Sequence, residues 1–179
     1  MILFYANNHQ FEQQLKKLIK VEIDYIDQHV GILYTSEKNE DILDVFCMNV
    51  SSESDSQVTL LKCYSYDAMT RQALISAHRY FPQRLSSLSK VVMSALFKKD
   101  QELIDELKKW YNKLNPHLLE TILMVCEQKG NISKTSLKLY IHRNTVANRL
   151  NLFEKETGIN ARNKDNQLLL EMVSLYLSI

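Results

Sequence analysis

The segment NISKTSLKLYIHRNTVANRLNLF, residues 131–153, determines the fold of the last third of the chain. Its first half predicts a short helix over 132–139, because Asn131 or Ser133 can cap the start of a helix with a side-chain oxygen. Its second half predicts a helix over 143–157, from the spacing of its apolar residues. Two short helices joined by a tight connection are typical of a helix-turn-helix.

The second of these helices carries an apolar stripe that predicts which of its faces is buried. Val146, Leu150 and Phe153 follow one another at intervals of four and three residues, which places them on one side of a helix. We expect that side to pack against the first helix. The residues expected in this core are Ile132, Leu137, Tyr140, Ile141, Val146, Leu150 and Phe153.

The first residues of the second helix have side chains suited to the edges of DNA bases. Arg143 can form two hydrogen bonds with guanine, Asn144 and Asn148 can pair with adenine, and Thr145 can contact a thymine methyl group. In a helix-turn-helix this end of the second helix enters the major groove. The pattern therefore predicts binding to double-stranded DNA.

Other polar residues of the segment are candidates for contacts with phosphate. Lys134 and Lys138 lie on the first helix, where they either contact the DNA backbone or are simply solvated. His142 either helps to set the turn or contacts a phosphate, and Arg149 faces either a phosphate or a carboxylate such as Glu154. The complete set of candidate DNA-binding residues is Lys134, Thr135, Lys138, His142, Arg143, Asn144, Thr145, Asn148 and Arg149.

The charge of this region differs from that of the whole chain. The net charge of the protein is only +1, which argues against a histone-like polycation. Between Glu127 and Glu154, however, there is no acidic residue. The basic residues in that gap are Lys129, Lys134, Lys138, Arg143 and Arg149. Because neutralisation of phosphates supplies much of the affinity for DNA, a local basic stretch favours a nucleic-acid module.

Two further helices are expected around the helix-turn-helix. One is predicted over 118–128, with Gly130 after its end, and the other over 165–178. Gly158 is expected to follow the end of the second helix of the motif, because glycine readily adopts the left-handed conformation found after helices.

With these elements included, residues 118–179 closely resemble the carboxy-terminal helix-turn-helix of the PucR/CdaR family of bacterial transcriptional regulators. The motifs that carry the resemblance are LLET (118–121), GNISKT (130–135), YIHRNTV (140–146), NRL (148–150), EKETGI (154–159) and LLL (168–170). The turn is also similar to that of the factor for inversion stimulation.

The resemblance implies a function for each part of the chain. It implies that the helix beginning at Arg143 binds a promoter or operator, usually in a homodimer or higher oligomer. The upstream region would sense an unidentified small-molecule effector or a partner. The sequence departs from the family pattern in a less basic recognition helix, in the start of the last helix at 162–166, and in a shorter upstream region of about 116 residues.

The amino-terminal part mixes helix and strand patterns. The ranges expected are a helix from Phe11 to about Ile26, a strand over Val30–Tyr34, either a helix or a strand over Asp41–Val50, a loop over Ser51–Gln57, and a strand over Val58–Tyr66. These patterns predict a small α/β domain.

The middle of the chain is expected to be helical. The predicted helices run from an Asp67 cap to Tyr80, from about Gln83 to Phe97, and onward from Asp100. The last of them has an apolar stripe formed by Leu103, Ile104, Leu107 and Tyr111. That stripe suits either the core of its own domain or a dimer interface, and the interface is our preferred interpretation.

Composition limits the fold classes. The chain has 179 residues, 45% of them hydrophobic, which is enough for one or two domain cores. With only three Gly and two Pro, an all-β fold is disfavoured, because its frequent turns use those residues. Cys47, Cys63 and Cys126 are an odd, widely spaced set that suits a reducing compartment. With no signal-peptide pattern and no long apolar run, we expect a soluble, cytoplasmic protein outside the membrane.

No pattern in the sequence is typical of a catalytic site. His117 and Glu120 share a helix face, but no further ligand completes a metal site. The acidic residues Glu40, Asp41 and Asp44 lie in a polar region, so we assign them no metal-binding or acid–base role. Glycine-rich phosphate loops and nucleophile motifs are not found in the sequence. We therefore expect no catalytic residues, no metal, no cofactor and no enzymatic activity.

Together these patterns predict an α-rich α+β protein. The expected parts are a small α/β regulatory or sensor domain over 1–80, a helical connector over 81–116, and a helix-turn-helix DNA-binding bundle over 117–179. The predicted function is transcription regulation. The alternative is a helical protein-interaction module with a degenerate helix-turn-helix and little affinity for DNA. A small metabolite-binding domain or enzyme is a third possibility, supported only by the α/β start.

Overall fold

The computed structural model describes residues 1–53 and 56–177. Its strands are β1 (Ile2–Ala6), β2 (Glu22–Tyr25), β3 (Val30–Tyr34), β4 (Val58–Lys62) and β5 (Leu85–Ser87). Its helices are α1 (Phe11–Leu18), α2 (Glu40–Glu53), α3 (Ala68–Tyr80), α4 (Leu88–Lys98), α5 (Gln101–Asn112), α6 (Pro116–Glu127), α7 (Ile132–Leu139), α8 (Arg143–Thr157) and α9 (Lys164–Leu177), with a 3₁₀ turn over Glu37–Asn39. The expected α+β fold class is confirmed.

The five strands form one mixed sheet with β1 at its centre. Their order is β2-β3-β1-β4-β5, and every pair is antiparallel except β4 with β5. Ile2 lies opposite Leu33 on one side and Lys62 on the other. Strand β1 has no counterpart among the elements predicted from the sequence. A central strand buried on both faces is continuously apolar, so it lacks the alternation that identifies a half-exposed strand.

The first predicted helix is too long. It begins at Phe11 as expected, but it ends at Leu18, and Glu22–Tyr25 forms the edge strand β2. The apolar residues near Tyr25 fall at helical intervals by coincidence, because pairing with β3 determines their conformation. The predicted strand over Val30–Tyr34 is confirmed.

The structure decides between the helix and the strand that the sequence allows in the region of α2. Asp41–Val50 is helical, and the helix continues to Glu53, so the loop expected from Ser51 does not begin there. Part of that expected loop, residues 54–55, lies outside the described residues. The following strand ends at Lys62 rather than at Tyr66.

Two predictions about the middle of the chain have different outcomes. Asp67 caps α3 as expected, because its side chain accepts a hydrogen bond from the Thr70 amide while the Thr70 hydroxyl accepts one from the Asp67 amide. The helix expected from Gln83 instead begins at Leu88. The residues before it form β5, which is short and pairs in parallel with a strand distant in sequence, so no local pattern marks it.

The chain divides into two compact units, Met1–Ala95 and the part from Leu96 onward. The connector expected over 81–116 stays a prediction. In the second unit α5 begins after an Asp100 cap, as expected. In the described part of the chain, no helix combines the length and the apolar character needed to cross a bilayer.

The apolar stripe of α5 belongs to the core of its own unit. Leu103, Ile104 and Leu107 are at most 2% exposed, and the Tyr111 hydroxyl donates a hydrogen bond to Ser174 on α9. The preferred interpretation of this stripe as a dimer interface is therefore wrong. An amphipathic stripe has the same spacing whether it faces another helix of its own chain or a second molecule.

The first unit contains an ion pair whose contribution to stability should depend on pH. The Arg84 guanidinium donates from Nε and Nη2 to the two carboxylate oxygens of Asp44, each at 2.9 Å, and the Leu85 amide donates to Asp44 Oδ1 at 2.8 Å. The hydrogen bonds from Arg84, followed by that from Leu85, hold the pKa of Asp44 below its usual range. These contacts join α2 to the start of β5.

We expect Asp44→Ala to lower the free energy of unfolding at pH 7 by about 1–2 kcal/mol, since hydrogen bonds to charged groups contribute about 1.5–3 kcal/mol and this pair is partly exposed. Because the folded pKa of Asp44 is depressed, its contribution is fully present above about pH 4 and is lost as the pH falls through the lower folded value. Urea unfolding from pH 7 down to pH 2 measures this. A difference between wild type and variant that stays constant over that range would contradict the prediction.

Candidate nucleic-acid interface

The first helix of the motif, α7, is fixed at its start by an asparagine cap. Asn131 Oδ1 accepts a hydrogen bond from the Lys134 amide at 3.0 Å, which selects Asn131 over Ser133 as the capping residue. Gly130 precedes it with φ of 81°, in the left-handed region that was expected there. The bounds of α7 and α8 agree with the predicted ranges 132–139 and 143–157.

The turn between α7 and α8 contains a non-glycine residue in the left-handed conformation. Tyr140 ends α7 with φ of 53°, and the Ile141 amide donates to the Ser136 carbonyl at 3.1 Å. The side chain of Tyr140 is 95% exposed, so its expected place in the core is wrong. Ile141 is half-buried. The left-handed residue reverses the chain direction and leaves its own side chain outside.

His142 has the structural role that was one of its two alternatives. Its Nδ1 accepts a hydrogen bond from the Asn144 amide at 3.2 Å, which caps the start of α8. The Thr145 amide donates to the His142 carbonyl at 2.9 Å. His142 is otherwise exposed.

The predicted phase of α8 is confirmed. Of the two α7 residues expected to pack against it, Ile132 is half-buried and Leu137 is exposed. Val146, Leu150 and Phe153 are at most 1% exposed. Leu137 of α7 is 74% exposed, and Thr135 is instead the fully buried residue of that helix. A leucine is expected in a core on hydrophobicity alone, and this expectation gave the wrong inward residue for α7.

The residues of α8 predicted to contact bases lie outside its buried stripe. Arg143, Asn144 and Asn148 are exposed, and Thr145 is half-buried. On α7, Lys134 and Lys138 are also exposed. The structure thus places most of the predicted site residues at the surface of the two helices and of the turn between them.

Thr135 is the exception among the candidate DNA-binding residues. Its side chain is completely buried, and its hydroxyl donates to the Asn131 carbonyl at 2.9 Å. Because this hydroxyl is buried and bonded within its own helix, it is not available to DNA. We therefore remove Thr135 from the candidate set.

Arg149 has a partner that sequence reasoning missed. Its Nη1 donates to Thr121 Oγ1 on α6 at 2.8 Å, and the Thr121 hydroxyl in turn donates to the His117 carbonyl at 3.0 Å. The suggested carboxylate partner, Glu154, lies instead 3.6 Å from Arg162. Thr121 is fully buried and carries no charge, so no sequence pattern indicates that an arginine 28 residues away binds it.

Within the described residues, the basic side chains of this surface have no carboxylate partner. Among the residues that the structure describes, none of the basic residues between Glu127 and Glu154 forms a salt bridge. The same described residues contain no group of three or more His, Cys, Asp or Glu that could hold a metal ion. The surface therefore combines uncompensated positive charge with exposed amide and guanidinium donors.

Comparison with known proteins identifies the domain formed by α6 to α9. The family model of the PucR C-terminal helix-turn-helix domain matches residues 118–175, which confirms the resemblance for this part of the chain. This match supports a transcriptional regulator. A search of the curated proteins found no match.

The fold has a counterpart among solved structures. The crystal structure of the regulator of polyketide synthase expression from Bifidobacterium adolescentis is similar over 98% of this chain and 78% of that chain. The TM-score is 0.50 and the sequences are 18% identical. At this identity the similarity shows a shared fold.

The buried stripe of α8 provides a test of the packing. Leu150→Ala should lower the free energy of unfolding by about 2–5 kcal/mol, because it leaves a cavity among the helices of the domain. Leu152 lies on the same helix and is 44% exposed, so Leu152→Ala is the matched control and should cost less than about 1 kcal/mol. Urea unfolding measures both variants, and equal losses would show that the side of α8 assigned to the core is wrong.

Proposed function

We propose that this chain, whose last third is a PucR C-terminal helix-turn-helix domain, binds an operator through α8 in the major groove and regulates transcription. The observation that carries the proposal is the exposed first part of α8, where Arg143 lies in the first turn and Asn144 and Asn148 lie opposite the buried stripe. In helix-turn-helix proteins this part of the second helix contacts base edges.

Base recognition would be divided among these side chains by their hydrogen-bonding groups. Arg143 has paired donors that fit the two acceptors of guanine, and each asparagine has one donor and one acceptor that fit adenine. Thr145, half-buried beside them, can offer its methyl group to thymine. This division predicts that Arg143 contributes mainly to sequence preference.

Affinity common to all sequences would come from phosphate contacts. Lys134 and Lys138 are exposed on α7 and have no salt-bridge partner among the described residues. In complexes of this type the first helix crosses the DNA backbone. His142 borders the amino terminus of α8, where free backbone amides favour an anion. Arg149 donates from Nη1 to Thr121 and has further N–H donors that could contact a phosphate.

The remaining parts of the proposal concern the whole molecule. A single helix-turn-helix makes few DNA contacts, so we propose that a homodimer binds two half-sites about 34 Å apart. The first unit would respond to an unidentified small-molecule effector, and the protein would act in the cytoplasm without a catalytic role.

One observation favours a protein-interaction module as a second candidate. Leu137 and Tyr140 are 74% and 95% exposed. Together with Lys134, Lys138 and Gln128 they line a shallow depression of about 260 Å³. Exposed apolar side chains beside cations suit a protein partner that is both apolar and acidic, and such a partner would not need the base-contacting residues of α8.

Arg143→Ala tests base recognition. After selection of a preferred site from random DNA, this variant should bind that site about 1–3 kcal/mol more weakly, with a smaller loss on scrambled DNA, because only the selected site offers the matching base. Fluorescence anisotropy on both DNAs measures the difference. Lys155→Ala is the control, since Lys155 is an exposed basic residue near the other end of α8.

Lys134→Ala and Lys138→Ala test the phosphate contacts. Each should weaken binding to selected and scrambled DNA alike, and each should reduce the slope of log K against log salt by about one. The measurement is a salt titration of anisotropy beginning at about 50 mM, where such contacts are strongest. If wild type binds no DNA there, or if Arg143→Ala changes nothing, the interaction module replaces DNA binding as the function.

A further inference from the structure

The helix α2 in the first unit is apolar on both of its faces. Its inner face buries Leu43, Phe46, Cys47 and Val50. Its outer face presents Ile42, Val45 and Met48, which are 43%, 52% and 42% exposed. These three exposed residues follow one another at intervals of three, which places them along one side of the helix. The fold of the first unit covers only one side of α2.

An open groove continues this outer face. It has a volume of about 680 Å³ and lies between α1 and α2, with Phe46 and Val50 at its base. Leu18, at the end of α1, is 59% exposed beside it. Exposed apolar residues that lie together and are bordered by polar residues can form part of a protein–protein contact.

The charges that border the groove are complementary to each other. Lys17 lies on α1 and Asp41 on α2, and both line the groove and are exposed. Within the described residues neither forms a salt bridge. One helix of the groove therefore offers an unpaired cation and the other an unpaired anion.

We propose that the α1–α2 groove is the contact between two copies of this chain, with Lys17 of one copy opposite Asp41 of the other. In a two-fold symmetric contact every pair of residues occurs twice. Both unpaired charges of both molecules are then compensated, and the exposed apolar residues of α2 in each copy pack against the groove of the other.

The choice of a second copy has two supports. The complementary charges lie on one surface of one chain, which suits self-association better than a partner with a single sign of charge. The proposal also rests in part on the proposed function, because operator binding by a helix-turn-helix usually requires two half-sites. The stripe of α5 is buried within its own unit and cannot serve this purpose.

Charge reversal of the full-length protein tests the contact by sedimentation without DNA. Lys17→Asp places two acidic residues opposite each other across the contact, and Asp41→Lys places two basic residues there. Each variant alone should therefore dimerise at least about 10-fold more weakly than wild type. In a mixed dimer of the two variants, the introduced acid faces the introduced base at one contact, and the original Lys17–Asp41 pair remains at the other. The equimolar mixture should therefore recover dimers close to the wild-type level. This recovery requires contact between molecules and cannot arise from a change within one chain.

Val45→Lys supplies an independent test of the apolar surface. It should reduce dimerisation at least about 10-fold, whereas the control Ile75→Lys should not, because Ile75 is a 41% exposed residue of α3 outside the groove. Thermal unfolding checks that each variant is folded. A wild-type protein that is monomeric at tens of micromolar, or a mixture of the two charge variants that stays monomeric, would overturn the proposal.

Binding to DNA that contains a single half-site separates this proposal from the proposed function. Val45→Lys should retain the half-site affinity of wild type, because the half-site needs only one helix-turn-helix. Failure of wild type to bind any DNA would remove the proposed function and leave the dimer measurement unaffected.

Discussion

Burial of one side of α8 is the constraint on which the candidate interface depends. Val146, Leu150 and Phe153 lose nearly all contact with water, at a gain of about 1.5–3 kcal/mol for each side chain. A helix with three such residues on one side cannot rotate without exposing them. Asn144 and Asn148 are consequently held on the exposed side, whereas Arg143 is exposed because it lies in the first turn of α8. The same packing that stabilises the domain therefore sets the direction of the proposed contacts of the two asparagines.

The sequence predicted the second unit better than the first, for a physical reason. In the second unit the asparagine cap of α7, the glycines after α6 and α8, and the apolar spacing of α8 are all local, so they can be recognised without knowledge of the fold. In the first unit β1 pairs with residues about 30 and 60 positions away, and β5 consists of three residues beside β4. Contacts between residues distant in sequence determine those strands.

The sequence predicts which residues of the candidate site are exposed better than it predicts the contacts that these residues make within the domain. Apolar spacing alone predicts which residues of α8 are outside. It does not reveal that Thr135 replaces Leu137 as the buried residue of α7, or that Tyr140 adopts a left-handed conformation with its ring in solvent. It also does not reveal the bond from Arg149 to Thr121, since one hydroxyl in a mostly apolar helix has no distinctive pattern.

The two arginines of α8 differ in their effect on the fold: Arg149 is bonded within the domain, whereas Arg143 has no salt bridge among the described residues. Arg149 is held by Thr121, so its removal leaves a buried hydroxyl with one hydrogen bond fewer and acts on the fold as well as on any ligand. Arg143 has no salt bridge among the described residues and lies where the helix dipole disfavours a cation. A charge in that position contributes nothing to the folded domain by itself. Its interaction with an anionic partner such as DNA would be gained without loss of an internal contact, which makes Arg143 a better measure of recognition than Arg149.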